Sequence, residues 1–168
     1  RPLVPNHDFI NFKMLSGNEI LLYLENPTNL RISELCSALL ELRKKRDADK
    51  IDWTSHEWIL LAVDLIKKNC STYNAHNISN LVTALHDLRI KDIEMWQLLS
   101  KCCFKMIFNS RGSSFGKIFD IYISNPEYSN SDFRNHLIIQ LPRILHKCSA
   151  KTFADVFVAC HRSGLMSK

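Results

Sequence analysis

The feature that most constrains the fold is a helical apolar pattern that recurs along the chain. Its unit is a trio of apolar residues at positions i, i+3 and i+6, which an α-helix places on one face. The four copies are Ile32, Leu35, Ala38; Ile78, Leu81, Ala84; Phe115, Ile118, Ile121; and Phe153, Val156, Ala159. The first copy precedes the second by 46 residues, and the later steps are 37 and 38 residues.

A second series of positions keeps an even step of 38 residues. It contains Trp58, Trp96 and Arg134, and in parallel Leu61, Leu99 and Leu137. We interpret this series as the second helix of each repeated unit. The long first interval is then a loop insertion at residues 43–52 between the two helices of the first unit, and surface loops absorb such insertions at little free-energy cost.

Helix pairs of this length predict an all-α protein, specifically an α-solenoid of helix-turn-helix repeats with a 37–38-residue period. A single pair cannot bury its apolar face, so neighbouring pairs must stack. The predicted segments are a lead-in with a short helix at 1–29 and a repeat array at 30–168, with units at about 30–74, 75–111, 112–149 and a partial unit at 150–168. That last unit stops after its first helix, so we expect an apolar face that further chain or a partner covers. The alternative is an irregular bundle with accidental periodicity.

Polar residues near the predicted helix starts suggest where each helix begins. Thr54 and Glu57 have the spacing of a capping box, in which both side chains bond first-turn amides. Asp92 and Ser131 are expected to cap the second helices of the second and third units. Thr152 is expected to cap the first helix of the fourth, partial unit.

Three residues are expected to shape helix ends or interiors. Gly164 suits a left-handed residue that closes a helix, and Arg89 occupies the equivalent turn two units earlier. Pro142 is expected to kink the second helix of the third unit, because proline lacks an amide hydrogen and clashes with the preceding turn.

Composition excludes several classes of protein. No apolar run approaches the roughly 18–20 residues that span a bilayer. With four glycines, the chain has no Gly-rich phosphate loop. No nucleophile-elbow or zincin motif occurs and no acid–base constellation assembles, so we expect no enzyme, cofactor or small-molecule substrate.

The cysteines indicate a reducing or organellar-matrix compartment. The six are Cys36, Cys70, Cys102, Cys103, Cys148 and Cys160, without a C-x-x-C pair, and all but Cys70 fall in apolar-periodic helices. His146, Cys148, Cys160 and His161 are metal-capable but lack the usual ligand spacing, so no metal site is predicted.

Positive charge is concentrated in the second half of the chain. Residues 1–96 carry 12 Lys and Arg against 13 Asp and Glu, whereas residues 97–168 carry 10 against 4, a net charge of +6. A basic region of this kind favours an anionic partner, either nucleic acid or an acidic protein. The alternative is that this charge only keeps the chain soluble.

Residues 78–101, "ISNLVTALHDLRIKDIEMWQLLSK", resemble the helical repeats of organellar RNA-metabolism proteins. These are the heptatricopeptide and octotricopeptide repeats, as found in RAP-domain and FAST-kinase-like proteins, and "LCSALLELR" with "HEWILL" matches more weakly. The resemblance implies an RNA-binding protein of the mitochondrial matrix, and repeat proteins of this kind also occur as mitochondrial ribosomal proteins. The third unit departs from the pattern because it lacks the small residue at its third position, and no RAP-like segment is present.

The residues expected to contact RNA are cations that neutralise phosphates without reading sequence. They are Arg43, Lys44, Lys45, Arg46, Arg89, Lys91, Lys101, Lys105, Arg111, Lys117, Arg143, Lys147, Lys151 and Arg162. The run at 43–46, in the predicted loop, is the strongest of these. Polar positions along the first helices do not repeat as pairs, so no base-per-repeat code is expected.

The expected partners are organellar rRNA and neighbouring protein subunits, the latter at the uncovered last helix. Two other readings of the sequence stay open. One is a protein–protein adaptor in a large complex, and the other is a fragment of a larger RNA-processing enzyme.

Overall fold

The computed structural model describes residues 8–49, 52–107 and 112–166, and in these ranges the chain is all-helical without a strand. The chain divides after Ile90 into two compact units, and each is described by itself. The first unit contains helices α1 (Gly17–Leu24), α2 (Ile32–Asp49), α3 (Glu57–Asn69) and α4 (Ala75–Asp87). The second contains α5 (Ile93–Met106), α6 (Gly112–Ser124), α7 (Ser131–Leu145) and α8 (Ala150–Arg162). Short 3₁₀ turns at Phe12–Met14, Pro27–Asn29, Cys70–Thr72 and Pro126–Tyr128 flank some of them.

Helix α2 is longer than predicted, and it occupies residues 43–49 of the loop expected at 43–52. The helix continues to Asp49, so the basic run at 43–46 is helical. The loop was predicted because the apolar period stops after Leu42, but a helix can continue without an apolar face. The segment from Arg43 to Asp49 contains no Gly or Pro, and Arg, Lys and Ala favour a helix without an apolar face.

Only one of the predicted helix caps is confirmed at its residue. The Asp92 carboxylate accepts a hydrogen bond from the Met95 amide at 2.9 Å, as expected for the start of α5. Helix α3 instead begins after His56, whose Nδ1 accepts from the Trp58 amide. Thr54 lies two residues before this cap, and its hydroxyl donates to Asp52 at 2.6 Å.

The other two predicted caps lie upstream of their expected positions. Asn130, one residue before Ser131, caps α7 by accepting from the Phe133 amide at 2.9 Å. Ser149, three residues before Thr152, caps α8 by accepting from the Thr152 amide at 3.2 Å. A capping side chain accepts a hydrogen bond from an amide two or three residues ahead. Each segment contains more than one polar residue that could do so, and the sequence does not show which one is the cap.

The predicted left-handed helix ends are confirmed. Arg89 has φ 61° and Gly164 has φ 73°. After α4 the Ile90 amide donates to the Leu85 carbonyl at 3.0 Å, and after α8 the Leu165 amide donates to the Cys160 carbonyl at 3.0 Å. Both helices therefore end in a Schellman motif, which satisfies their last carbonyls. At Pro142, α7 lacks one amide but continues to Leu145.

The core of the first unit lies between α2 and α4, with α1 against α2 and α3. The predicted core residues Leu35, Ala38, Leu81 and Ala84 are buried there. Trp53, which precedes α3, is also buried, although no sequence pattern singled it out.

The register predicted for α3 was wrong. Leu61 was matched to Leu99 and Leu137, but it is 46% exposed while both of those are buried. The buried residues of α3 are Ile59 and Ala62 rather than Trp58 and Leu61, and Trp96 and Leu99 are likewise buried in α5.

The core of the second unit contains a close approach of α6 and α8. A Cβ atom added at Gly116 would lie 2.4 Å from Cγ2 of Thr152, and one added at Gly112 would lie 2.8 Å from the Lys147 carbonyl. The third predicted unit has Ile121 where the other units have a small residue. In α6 the small residues that allow a close approach are instead Gly112 and Gly116, which lie earlier in the helix. Val156 and Ala159 are buried as predicted, but Phe153 is half exposed.

Candidate nucleic-acid interface

In the first unit, the strongest predicted basic run is partly neutralised by acidic side chains. The Arg43 guanidinium forms an ion pair with the Asp87 carboxylate of α4. Lys44 Nζ lies 2.6 Å from Glu41 Oε1, one turn earlier in α2. The side chain of Arg46 lies outside the described residues. An RNA phosphate would have to compete with these carboxylates, so the run at 43–46 offers less charge than its sequence suggests.

The remaining predicted cations of the first unit are dispersed. Lys45 is half-buried near Glu19, whose pKa is lowered mainly by hydrogen bonds from Ser16 and to a smaller degree by the Lys45 charge. Arg89 is exposed at the left-handed turn that ends α4. Arg111, which belongs to the second unit, lies outside the described residues.

In the second unit, every predicted cation that the structure describes is exposed. These are Lys91, Lys101, Lys105, Lys117, Arg143, Lys147, Lys151 and Arg162. Within residues 91–107 and 112–166, no ion pair involves any of them. Residues 91–168 carry 11 Lys and Arg against 6 Asp and Glu, a net charge of +5, whereas residues 1–90 carry 11 against 11. The available positive charge therefore lies in the second unit.

Two of these cations are brought together by a helix. Lys101 and Lys105 are one turn apart on α5, whereas Arg143 lies in the last turn of α7, Lys147 in the turn that follows and Lys151 in the first turn of α8. The others are separate: Lys91 precedes α5, Lys117 lies on α6 and Arg162 ends α8.

Lys101 and Lys105 lie on the wall of a groove between α5 and the start of α7, which we call the α5/α7 groove. Its lining residues are Gln97, Ser100, Lys101, Phe104, Lys105, Ser129, Asn130, Asp132 and Phe133. Its volume is about 550 Å³, which falls within the range of roughly 300–1,000 Å³ that is usual for sites that hold a small ligand.

Aromatic rings form one side of the α5/α7 groove. The Phe104 ring lies 4.4 Å from the His136 ring with 30° between their planes, and 6.2 Å from the Phe133 ring. Phe133 is buried and in edge contact with Tyr122, whereas Phe104 is 42% exposed. A half-exposed aromatic ring in contact with two other rings therefore lies in the same groove as two lysines.

The other side of the groove is polar. The side-chain oxygen of Asn130 caps α7, and Asp132 lies in the first turn of that helix. The Ser129 hydroxyl is buried and has no hydrogen-bond partner among the described residues. From the α5 side, Gln97 donates to the Glu127 carbonyl at 3.5 Å. The lysines on α5 and the carboxylate on α7 make the groove electrically asymmetric.

Phe104 is the residue of this groove that the sequence analysis missed. Its signal is an aromatic residue between Lys101 and Lys105, one position beyond the buried Cys102 and Cys103. Such a residue breaks the apolar period of its helix and must face outward. Trp96, by contrast, is fully buried, so its ring packs in the core of the second unit and has no exposed face for a base.

Polar positions on the first helix of the second predicted unit do not form a free surface. Thr83 is buried, and its hydroxyl donates to the Ser79 carbonyl at 2.9 Å. Asp87 is paired with Arg43. Both side chains therefore make their polar contacts within the first unit.

Three of the thiols are in environments that disfavour the reactive thiolate. Burial raises the pKa of Cys36 to about 12 and also raises those of Cys148 and Cys160. None of the six cysteines forms a disulfide bond. In the described ranges, no group of three or more His, Cys, Asp and Glu side chains is arranged to hold a metal ion.

Comparison of the chain with protein-family models and with curated protein sequences finds no match. Among the helices of residues 8–49, 52–107 and 112–166, none is both long enough and apolar enough to cross a bilayer.

Proposed function

We propose that this chain is a non-catalytic helical-repeat RNA-binding protein of an organelle, a scaffold of the mitochondrial ribosome that holds rRNA by its phosphates. The observation that carries the proposal is the contrast between the two units in charge pairing. In the first unit Arg43 and Lys44 are held by carboxylates, whereas the described predicted cations of the second unit are exposed without ion pairs in their own unit.

Exposed lysines and arginines of this kind suit a polyanion. Each one that neutralises a phosphate releases condensed counterions, and this entropy gain supplies much of the affinity for nucleic acid. Lys101 and Lys105 would contact successive phosphates along α5, and Arg143, Lys147 and Lys151 would extend the contact at the turn between α7 and α8. No base-specific readout is needed for such binding.

The repeat architecture is part of the same proposal. The buried pairs Met95 and Phe133, and Leu99 and Leu137, keep a 38-residue step, and α4 and α8 share the same left-handed ending. These features support repeated helix pairs of 37–38 residues that stack as a solenoid. The mitochondrial location and the ribosomal setting follow from the resemblance of residues 78–101 to organellar repeat proteins.

The proposal is tested with two matched double variants of the full chain. We expect K101Q/K105Q to bind a short single-stranded RNA on the order of tenfold more weakly at 0.1 M salt, because two phosphate contacts are lost. K13Q/K68Q removes the same charge from exposed positions of the first unit and is expected to change the affinity less than about twofold. Fluorescence anisotropy with labelled RNA measures both.

Two results would contradict the proposal. Equal losses in the two variants would mean that binding follows net charge without a defined surface. RNA binding that is absent in the wild-type chain would remove the function altogether.

A protein–protein adaptor is the second candidate function, and α8 favours it. Phe153 is 50% exposed and Phe157 is 51% exposed one turn later, beside exposed Val158. Apolar side chains in such a row are typical of a surface that another protein covers. Stoichiometric capture of one protein after nuclease treatment, lost on replacement of Phe153 and Phe157 by serine, would favour this function.

A further inference from the structure

We infer that the α5/α7 groove binds an unpaired nucleotide of single-stranded RNA, with its base stacked on Phe104 and its phosphates on Lys101 and Lys105. This inference rests on the proposed RNA-binding function and goes further by assigning the form of RNA and the site. It is carried by the position of one exposed aromatic ring between two cations that lie in the same groove.

The ring is positioned as a stacking surface. Phe104 is supported by His136 at 4.4 Å and by Phe133 at 6.2 Å, while 42% of its surface stays exposed. Aromatic side chains that stack on bases in this way bind single strands without strong sequence preference, because every base has a π face. A base paired within a duplex cannot offer that face.

The charges of the groove orient the nucleotide. Lys101 and Lys105 lie on the α5 side and attract phosphates, whereas Asp132 on the α7 side repels them. The RNA backbone therefore follows α5, and the base points across the groove toward α7. There, the side-chain amide of Asn130 offers hydrogen bonds to a base edge, and Gln97, which lies on α5 one turn before Lys101, lines the same groove.

The shape of the groove agrees with one nucleotide. Its volume of about 550 Å³ is sufficient for a base with its sugar. Its open face allows the strand to continue on either side, which a closed cavity would prevent. The buried Ser129 hydroxyl, which has no partner among the described residues, lies at the same site.

The experiment compares Phe104→Leu with Phe104→Tyr in the full chain, using a uridine dodecamer and an RNA duplex as probes. Leucine keeps apolar volume but removes the π face, whereas tyrosine keeps it. We expect F104L to bind the dodecamer about five- to fiftyfold more weakly and F104Y to bind it within about twofold of wild type. Binding of the duplex is expected to be unchanged in both variants.

Phe157→Leu is the matched control, because it removes an equally exposed aromatic ring outside the groove. Dodecamer binding by F104L that equals that of wild type would overturn the stacking inference, and an equal loss in F157L would do the same. The proposed function would survive the first result if K101Q/K105Q still lost affinity. Failure of the wild-type chain to bind either RNA would instead reject the proposed function itself. Circular dichroism of each variant establishes that the helices are retained.

Discussion

Replacing Trp96 with alanine is expected to destabilise the fold by about 3–5 kcal/mol, the usual cost of removing a large buried aromatic side chain. Trp96 is fully buried, and its ring stacks on Tyr128 with centroids 4.8 Å apart and planes 7° apart. Its ring also meets Tyr122 edge-on, and its backbone carbonyl accepts a hydrogen bond from the Tyr122 hydroxyl at 3.0 Å. The substitution leaves a cavity among these rings that the helices can fill only in part. Urea unfolding followed by circular dichroism measures the change.

Trp58 supplies the matched control for that experiment. It was predicted to be the equivalent of Trp96, but it is only half-buried and its ring contacts the imidazole of His56 at 5.1 Å. Trp58→Ala is therefore expected to cost about 1 kcal/mol. Equal losses for the two tryptophans would restore the register predicted from the sequence and contradict the one described for α3.

Replacing Gly116 with alanine is expected to destabilise the second unit by about 1–3 kcal/mol, although alanine is the better helix former. The added Cβ would lie 2.4 Å from Cγ2 of Thr152. Thr152 cannot turn away easily, because it is buried and its hydroxyl is hydrogen-bonded to the Ser149 hydroxyl at 3.1 Å. Helices α6 and α8 must therefore move apart. Urea unfolding of the variant measures the loss.

A second substitution tests whether that contact is the cause. Thr152→Ser removes Cγ2 but keeps the hydroxyl, so G116A/T152S is expected to recover most of the stability that G116A loses. Ser113→Ala, at an exposed position of the same helix, is the control and is expected to change stability by less than about 0.5 kcal/mol. A G116A variant that is as stable as wild type would contradict the close approach of the two helices.

The helices that the sequence predicts well are those with a continuous apolar period. In α4 and α6 the trios beginning at Ile78 and Phe115 are buried as expected. In an amphipathic helix the spacing of the apolar residues identifies the face that packs against the core. The end of α2 carries no such pattern, so its helical extension was missed. The register of α3 was missed for a different reason, since Leu61 and Ala62 are both apolar and only tertiary packing selects which one faces the core.

The sequence predicted which cations belong to the candidate site, but it did not predict which of them lie together or form ion pairs. The sequence identifies Lys101 and Lys105 as cations, yet it identifies Arg43 equally well, and only the fold brings Asp87 to Arg43 from 44 residues away. Phe104 was missed because an aromatic residue in a helix is usually assigned to the core. Its exposure depends on the path of α7, which the local sequence does not specify.

Phosphate binding by the second unit is tested by the salt dependence of single-stranded RNA binding by the wild-type chain and K101Q/K105Q. Each phosphate contact to a single strand contributes roughly 0.7 to the slope of log K against log salt concentration. We expect K101Q/K105Q to lower the magnitude of this slope by about 1.4, whereas K13Q/K68Q leaves it unchanged. A wild-type affinity that does not depend on salt, or identical slopes for the wild type and K101Q/K105Q, would contradict phosphate binding by the second unit.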